Sequence, residues 1–307
     1  MADTGASRVR LEESAPLVHA LVSRAASDIG LRVLAIKGPA LALQGLRADR
    51  PSADVDVLVH PDELDQFIQH MVGMGWFKGL VASAPVVRPS HSVDLLSEFW
   101  PTGIDVHHYF PGFMADAGDV FDLLWARRCK VDLAGVAVPA CDRVAHTALA
   151  ALHYLRDPQS PMYGTRLSDL TKRAQHTLTQ RDMLDLIALA EETGAVGPLR
   201  PFLSALVIPG SQIPAPSDAH QAEWEFWVNA PESTQWLLLL KQTPLRDWPR
   251  TIWYALMLTD VEVRVLLGSR DEAATITQLR LRRLRRGART MPKALLTLAR
   301  RRWKSSA

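Results

Sequence analysis

The sequence predicts an α/β (α+β) chain: a mixed sheet flanked by helices to about residue 140, then an all-helical region. Three observations predict it. Short runs of branched apolar residues alternate with helix-period segments as far as Pro139. After Asp142 every patterned segment carries apolar residues at three- and four-residue steps. Between Phe77 and Tyr109 there are strand-like runs without a helical pattern, so they pair locally and at least partly antiparallel.

Each element has its own reason. Ser14 to Ala26 has helical spacing, and Gly30 stops it. Leu31 to Ile36 is a buried strand, broken by Lys37-Gly38-Pro39, with a short helix from Ala40 to Leu46. Asp54 to Val59 is a second strand. Pro61-Asp62-Glu63 then opens a helix that runs to Gly75, with Leu64, Phe67, Ile68 and Met71 on one face. Strands follow at 77–82, 92–97 and 104–109, a helix at 119–128, and a hairpin at 130–139 around Gly135. Helices are expected at 142–156, 166–176, 181–194 and 198–206. A Pro/Gly/Ser linker at 209–216 precedes helices at 219–229, 234–242 and 248–267. The expected division is a catalytic α/β domain at 1–140, a helical domain at 141–269 and a basic tail at 270–307.

Composition limits the classes. The 307 residues are 48% apolar and 22% charged, enough to bury a core. Cys129 and Cys141 make no disulfide framework and have no zinc-ligand spacing, so they read as free thiols. The start lacks a secretory pattern, and no run approaches the roughly 18 apolar residues of a membrane span. The expected compartment is the cytoplasm. Net charge is +2, unevenly spread: residues 270–307 carry twelve Lys/Arg against two acids, leaving an acidic body. Arg280 to Arg286, with Trp303 and Lys304 beyond, suits an acidic partner, nucleic acid or an anionic membrane surface. Gly287 and Pro292 are expected to interrupt it as a helix. No Gly-x-Ser-x-Gly, His-Glu-x-x-His or Walker-type loop occurs.

The chemistry lies in Asp54-Val55-Asp56-Val57-Leu58-Val59. Alternate strand residues share a face, so Asp54 and Asp56 sit about 7 Å apart while the valines enter a core. Two half-buried carboxylates repel unless a cation lies between them. Mg²⁺ (or Mn²⁺) suits oxygen donors and phosphate substrates. Asp105, an apolar-flanked acid on a later strand, is the third carboxylate, and Asp94 is its competitor. Arg50 and Ser52 put a cation and a hydroxyl just ahead of the pair, where a triphosphate would lie. His107 shares the face of Asp105 and is placed to bond a phosphate or orient the carboxylate. Asp-x-Asp alone fits a solvated strand face better than a metal site; the strand–Lys37-Gly38–helix unit before it, Arg50-Pro51-Ser52 beside it and Asp105 after it change the weighting.

These residues carry a family resemblance. Leu34 to Leu41 with Lys37-Gly38, Arg50-Pro-Ser-Ala-Asp54-Val-Asp56-Val-Leu-Val59, and Asp105-Val-His107 resemble the uncharacterised nucleotidyltransferase family of the polymerase-beta-like superfamily. The match covers about residues 15–155. It implies a mixed nucleotidyltransferase-type sheet, a nucleoside triphosphate with ATP the first choice, a divalent metal on Asp54, Asp56 and Asp105, and transfer of a nucleoside monophosphate with release of pyrophosphate. Lys37 and Gly38 stand where the wider superfamily has a Gly-Ser phosphate loop. The hydroxyl is absent, so the ammonium and backbone donors near Gly38 take over anchoring. The sequence does not name the acceptor: a small molecule, a peptide, a protein side chain and a nucleic-acid end all remain open.

Among the remaining polar residues, His91 is a functional candidate beside its strand. His146 and His153 read as satisfied core histidines, and Asp169 reads as structural. Two other functions stand beside the enzyme: a non-catalytic nucleotide-binding or interaction protein on the same fold, and an Asp-x-Asp glycosyltransferase. The second needs about 100 residues of nucleotide-binding unit ahead of its motif, and only 53 precede Asp54.

Overall fold

The computed structural model describes residues 9–79, 91–158, 160–206, 212–256 and 275–304. Seven strands form one mixed sheet: β1 (Val33–Ala35), β2 (Asp54–Val59), β3 (Phe77–Lys78), β4 (Ser92–Leu96), β5 (Gly103–His107), β6 (Cys129–Leu133) and β7 (Val136–Ala140). Their order is β3-β4-β5-β2-β1-β7-β6. β2 pairs parallel with β5, and β1 parallel with β7. The other neighbours, including the local β3-β4-β5 set, are antiparallel. The expected mixed sheet with flanking helices is what the chain forms. Of the strand expected at 77–82, residues beyond Gly79 lie outside the described residues. The expected hairpin is β6–β7, closed by Ala134 and Gly135, both at positive φ. A two-residue loop needs that pair of conformations to match the twist of its strands.

The sheet has two covered faces because β2 is apolar on one side and mixed on the other. Val55, Val57 and Val59 join Val33, Ile104 and Val106 against α1 (Leu11–Asp28) and α3 (Leu64–Gly73), through Val18, Val22, Phe67 and Met71. Burying each such side chain stabilises by about 1.5–3 kcal/mol. Leu34, Ile36 and Leu58 face the other way. They enter a core shared with α4 (Ala117–Ala126), α5 (Arg143–Leu155), α6 (Pro161–Thr177), α7 (Gln180–Glu192) and α8 (Val196–Leu206). The sheet ends at Ala140, yet this compact unit continues through Trp224, because α5 to α8 share its core. Between β1 and β2 lies α2 (Gly38–Leu43).

A second compact unit begins at Glu225. α9 (Asp218–Asn229) runs across that boundary, followed by α10 (Glu232–Gln242), α11 (Trp248–Leu256) and α12 (Ile276–Lys304). The remainder of the helix expected to reach Leu267 lies outside the described residues. One expectation is corrected: α12 passes through both Gly287 and Pro292 as a single helix. A mid-helix Gly costs about 1 kcal/mol and Pro about 3. Packing against α10 offsets this: the Ser233 and Thr290 hydroxyls bond at 3.0 Å, and Arg283 stacks over Trp236. Among the described residues no helix is long and apolar enough to cross a membrane.

Candidate active site

Parallel pairing of β2 with β5 sets Asp56 opposite Asp105, and antiparallel pairing of β4 with β5 sets Asp94 opposite Asp105. Three neighbouring strands thus carry a row of acids. Asp54 lies one strand repeat before Asp56 on the same face, exposed where Asp56 is buried. His107 is fully buried, two residues beyond Asp105. Its Nε2 lies 3.0 Å from Asp105 Oδ2 and 3.1 Å from Asp56 Oδ1. The Lys37 ammonium pairs with the same Asp56 oxygen, 3.5 Å from His107 Nε2 and 5.5 Å from the Phe110 ring centre.

Lys37 reaches this position at a conformational cost. Its φ of 58° and ψ of −151° lie in a region populated almost only by glycine. A side chain held there costs about 1–3 kcal/mol, which the buried ion pair must offset. Gly38 follows at φ 50°. A Cβ there would make only ordinary contacts with Ser52 Oγ and His19 Nε2, so backbone conformation rather than space selects glycine.

The electrostatics follow from the packing. Burial alone would raise the Asp56 carboxyl, but Lys37 and the His107 bond outweigh it and hold it below the usual carboxylate range. Asp105 behaves likewise, held down by His107 and a bond from Ser92. Burial would lower His107, yet its bonds to Asp105 and Asp56 raise it, so it favours the imidazolium. Asp54 and Asp94 are exposed at the surface, yet partial desolvation of each carboxyl, then the neighbouring charge of Asp56 and of Asp105 respectively, raises them.

Asp54 and Asp56 open onto a cavity of about 310 Å³. One wall holds Lys37, Gly38, Arg47 and Arg50, and the other holds His153 and Tyr154 of α5, Arg156 just past its end, and Tyr163 and Arg166 of α6. Arg47 is tied down: it donates to Ser52 Oγ at 3.2 Å and to the Arg50 carbonyl at 2.7 Å. His153, Tyr154 and Tyr163 form a triangle of rings with centres 5.2–5.7 Å apart. Burial, then Lys37, lowers His153 to about 3, so it is neutral at pH 7.

The fold therefore brings Lys37, Asp56, Asp105 and His107 into contact and sets Gly38, Arg50 and Asp54 on the adjoining cavity. Ser52 is buried, and its hydroxyl accepts from Arg47. His91 stands against His107, ring centres 5.3 Å apart. His146 is a core histidine as expected: its Nδ1 meets Gln44 Oε1 at 2.7 Å, and burial lowers it to about 3. His153 departs from expectation. It lines the cavity, and its buried Nδ1 has no hydrogen-bond partner among the described residues. It lies in the last turn of α5, half-buried where its neighbour Leu152 is fully buried. Asp169 is exposed and pairs with Arg173 one turn on. Sequence reasoning missed Arg47, Tyr154, Arg156, Tyr163 and Arg166. The only local signal was the crowding of Arg and Tyr at 154–166, which reads equally as solvated helix surface.

Asp56, Asp105 and His107 each offer a ligand atom within 4.8 Å of the others. Asp105 Oδ1 and His107 Nδ1 are buried without hydrogen-bond partners among the described residues, and an orphaned carboxylate oxygen fits a bound cation. Two carboxylates, an imidazole and nearby Asp54 suit Mn²⁺ or Mg²⁺.

No protein-family model matches the chain, and no curated protein matches it. Among solved structures it is similar to an antigenic nucleotidyltransferase-like protein from Paracoccidioides brasiliensis, at 16% identity over 63% of this chain and 94% of that one, TM-score 0.39. It is similar to a lincosamide antibiotic adenylyltransferase bound to lincomycin, at 14% identity over 58% and 96%, TM-score 0.32. A tRNA-processing enzyme matches at 13% identity over 94% and 92%, TM-score 0.28. Likeness this weak carries no argument about chemistry, which rests on the residues themselves.

Proposed function

We propose that the chain is a metal-dependent nucleotidyltransferase that moves a nucleoside monophosphate from a nucleoside triphosphate, ATP first, to an acceptor nucleophile and releases pyrophosphate. One observation carries this reading: Asp56 and Asp105 stand side by side on parallel strands, with Asp54 one repeat away, at the edge of a cation-lined cavity. Asp54, Asp56 and Asp105 would hold Mg²⁺ or Mn²⁺, with His107 as a further donor or as the group that orients both carboxylates. A bound divalent ion supplies Lewis-acid polarisation of the phosphate oxygens.

The chain's own residues do the rest. Lys37, backbone donors at Gly38, and Arg50 anchor the phosphates, with Ser52 fixing Arg47 beside them. Asp105, kept ionised by His107, accepts the proton of the attacking hydroxyl. Lys37 offsets charge growing on the departing pyrophosphate. The strand part carries these groups, and α5 and α6 with the residues between them supply the facing wall.

Incubation with each labelled triphosphate and Mg²⁺ or Mn²⁺, read by pyrophosphate release and mass analysis of products, tests the reading. Wild type is expected to release pyrophosphate, and folded Asp54→Ala and Asp56→Ala variants to lose it. Equal release by all three overturns the assignment. One observation favours a second reading, a nucleotide-binding protein without turnover: the Lys37 ammonium pairs with Asp56 and neutralises it. Mg²⁺-dependent nucleotide binding without pyrophosphate release would select it.

A further inference from the structure

We infer that α5 and α6 supply the second half of a polyphosphate clamp, in which Arg156 and Arg166 close on an anion held from the other side by Lys37, Arg47 and Arg50, and that this clamp engages a polyphosphate without any divalent cation. The inference deepens the nucleotidyltransferase reading and rests on it for the identity of the substrate.

The charge inventory is the first argument. Five cations and two acids line the cavity, a net charge of +3 with His153 neutral. Of the five, only Lys37 has an acid partner. Arg50, Arg156 and Arg166 make no side-chain hydrogen bond or ion pair among the described residues. Arg47 donates only to a hydroxyl and to carbonyls, and its buried Nε has no partner.

Placement is the second argument. Arg47 feels both Arg50 and Arg166, and burial, then Arg50, pushes its guanidinium below the usual arginine range. Tyr154 lies within the fields of Arg166, Arg50 and Arg47. Arg47, Arg50 and Arg166, drawn from both walls, line one cavity together with Tyr154. Like charges held together in a half-enclosed space repel, and water screens them less than on an open surface. A compact polyanion relieves that repulsion, and guanidinium forks match phosphate oxygens bidentately. A single carboxylate would leave charge uncompensated.

Metal independence follows from Lys37. Its ammonium neutralises the buried Asp56, so the net positive charge of the cavity does not depend on a divalent cation. At about 310 Å³ the space is too small for a duplex, and Asp54 and Asp56 are among its lining residues. These features favour a polyphosphate chain over a nucleic-acid groove.

The test is titration calorimetry of the full chain with inorganic tripolyphosphate in metal-depleted buffer, at low and at raised salt. Wild type is expected to bind, more weakly as salt rises. The Arg156→Gln/Arg166→Gln double variant is expected to lose at least about tenfold in affinity. Arg156→Lys/Arg166→Lys should recover much of it, which a folding defect would not mimic. Arg246→Gln, at a surface pair in the second unit, should bind as wild type does. Three outcomes overturn the clamp: no binding until Mg²⁺ is added, equal binding by wild type and the Gln double variant, or binding of a single-stranded oligonucleotide but not of tripolyphosphate. The two readings fail separately. Metal-free tripolyphosphate binding with no triphosphate turnover keeps the clamp and removes the enzyme, whereas turnover with strictly metal-dependent binding does the reverse.

Discussion

The two walls of the cavity are built on opposite electrostatic plans. On the strand side the acids are paired, Asp56 with Lys37 and His107, and Asp105 with His107, while Arg47 and Arg50 beside them have no acid partner among the described residues. On the helical side Arg156 and Arg166 face the cavity without partners among the described residues. The strand wall is therefore part of what holds the fold, because removing one member strands the others in a buried place. Arg156 and Arg166 on the helical wall contribute little to the fold and leave their charge for a ligand. The difference teaches that one site can contain groups whose loss is read in stability and groups whose loss is read only in binding.

Four measurements break or sharpen that contrast. The largest effect is expected at Asp56→Ala, which leaves Lys37 and His107 buried beside an absent carboxylate. Breaking such a pair costs about 3–5 kcal/mol. Urea unfolding checks it, and a loss below about 1 kcal/mol would place the cluster in water rather than in the fold.

The second is pH. Asp56 and Asp105 have folded values below their unfolded ones, so their stabilisation is complete above the unfolded carboxylate range and is lost as pH falls through the folded values. His107 has a raised folded value, so its share is complete below the unfolded imidazole range and is lost as pH rises through the folded value. Melting temperature should therefore fall on both sides of a plateau between the two ranges, and Asp56→Asn should flatten the acid limb.

Third, Lys37→Gly and Lys37→Met both lose the ion pair, but only glycine relaxes the φ 58° backbone. Lys37→Gly is expected to be the more stable by about 1 kcal/mol, after the entropy cost of glycine is counted. Equal unfolding midpoints would show that position 37 stores no strain.

The smallest effect belongs to the helical wall. Arg166→Gln should change stability by no more than about 0.5 kcal/mol, with relief of repulsion offsetting lost packing. A loss as large as that of Asp56→Ala would erase the distinction between the walls.

Much of the strand wall was legible. A period-2 run of valines with two acids fixes which face of β2 enters the core and which carries Asp54 and Asp56. An apolar-flanked acid on a later strand then singles out Asp105, although Asp94 offered the same pattern. Register decided how they meet: Asp105 stands between the two, opposite Asp56 on one side and Asp94 on the other. His107 was expected to serve a phosphate or to orient Asp105. The structure gives it both carboxylates at once. The tail shows the limit of local rules, since α12 runs through Gly287 and Pro292 once α10 packs on it.

By itself the sequence determined the alternation of strands and helices, the sided character of β2 and the chemistry available on its polar face, because strand and helix periods act over a few residues. Only the tertiary structure decided that Arg156 and Arg166 would face Lys37, Arg47 and Arg50, more than 100 positions away. It also moved His153 from the expected core to the cavity wall and gave Lys37 a backbone that local propensity disfavours. The physical reason is the same for all three. Apolar periodicity says which side of a helix or strand is buried, whereas the meeting of charges depends on how whole elements stack, and that is fixed by the shared core beneath α5 to α8.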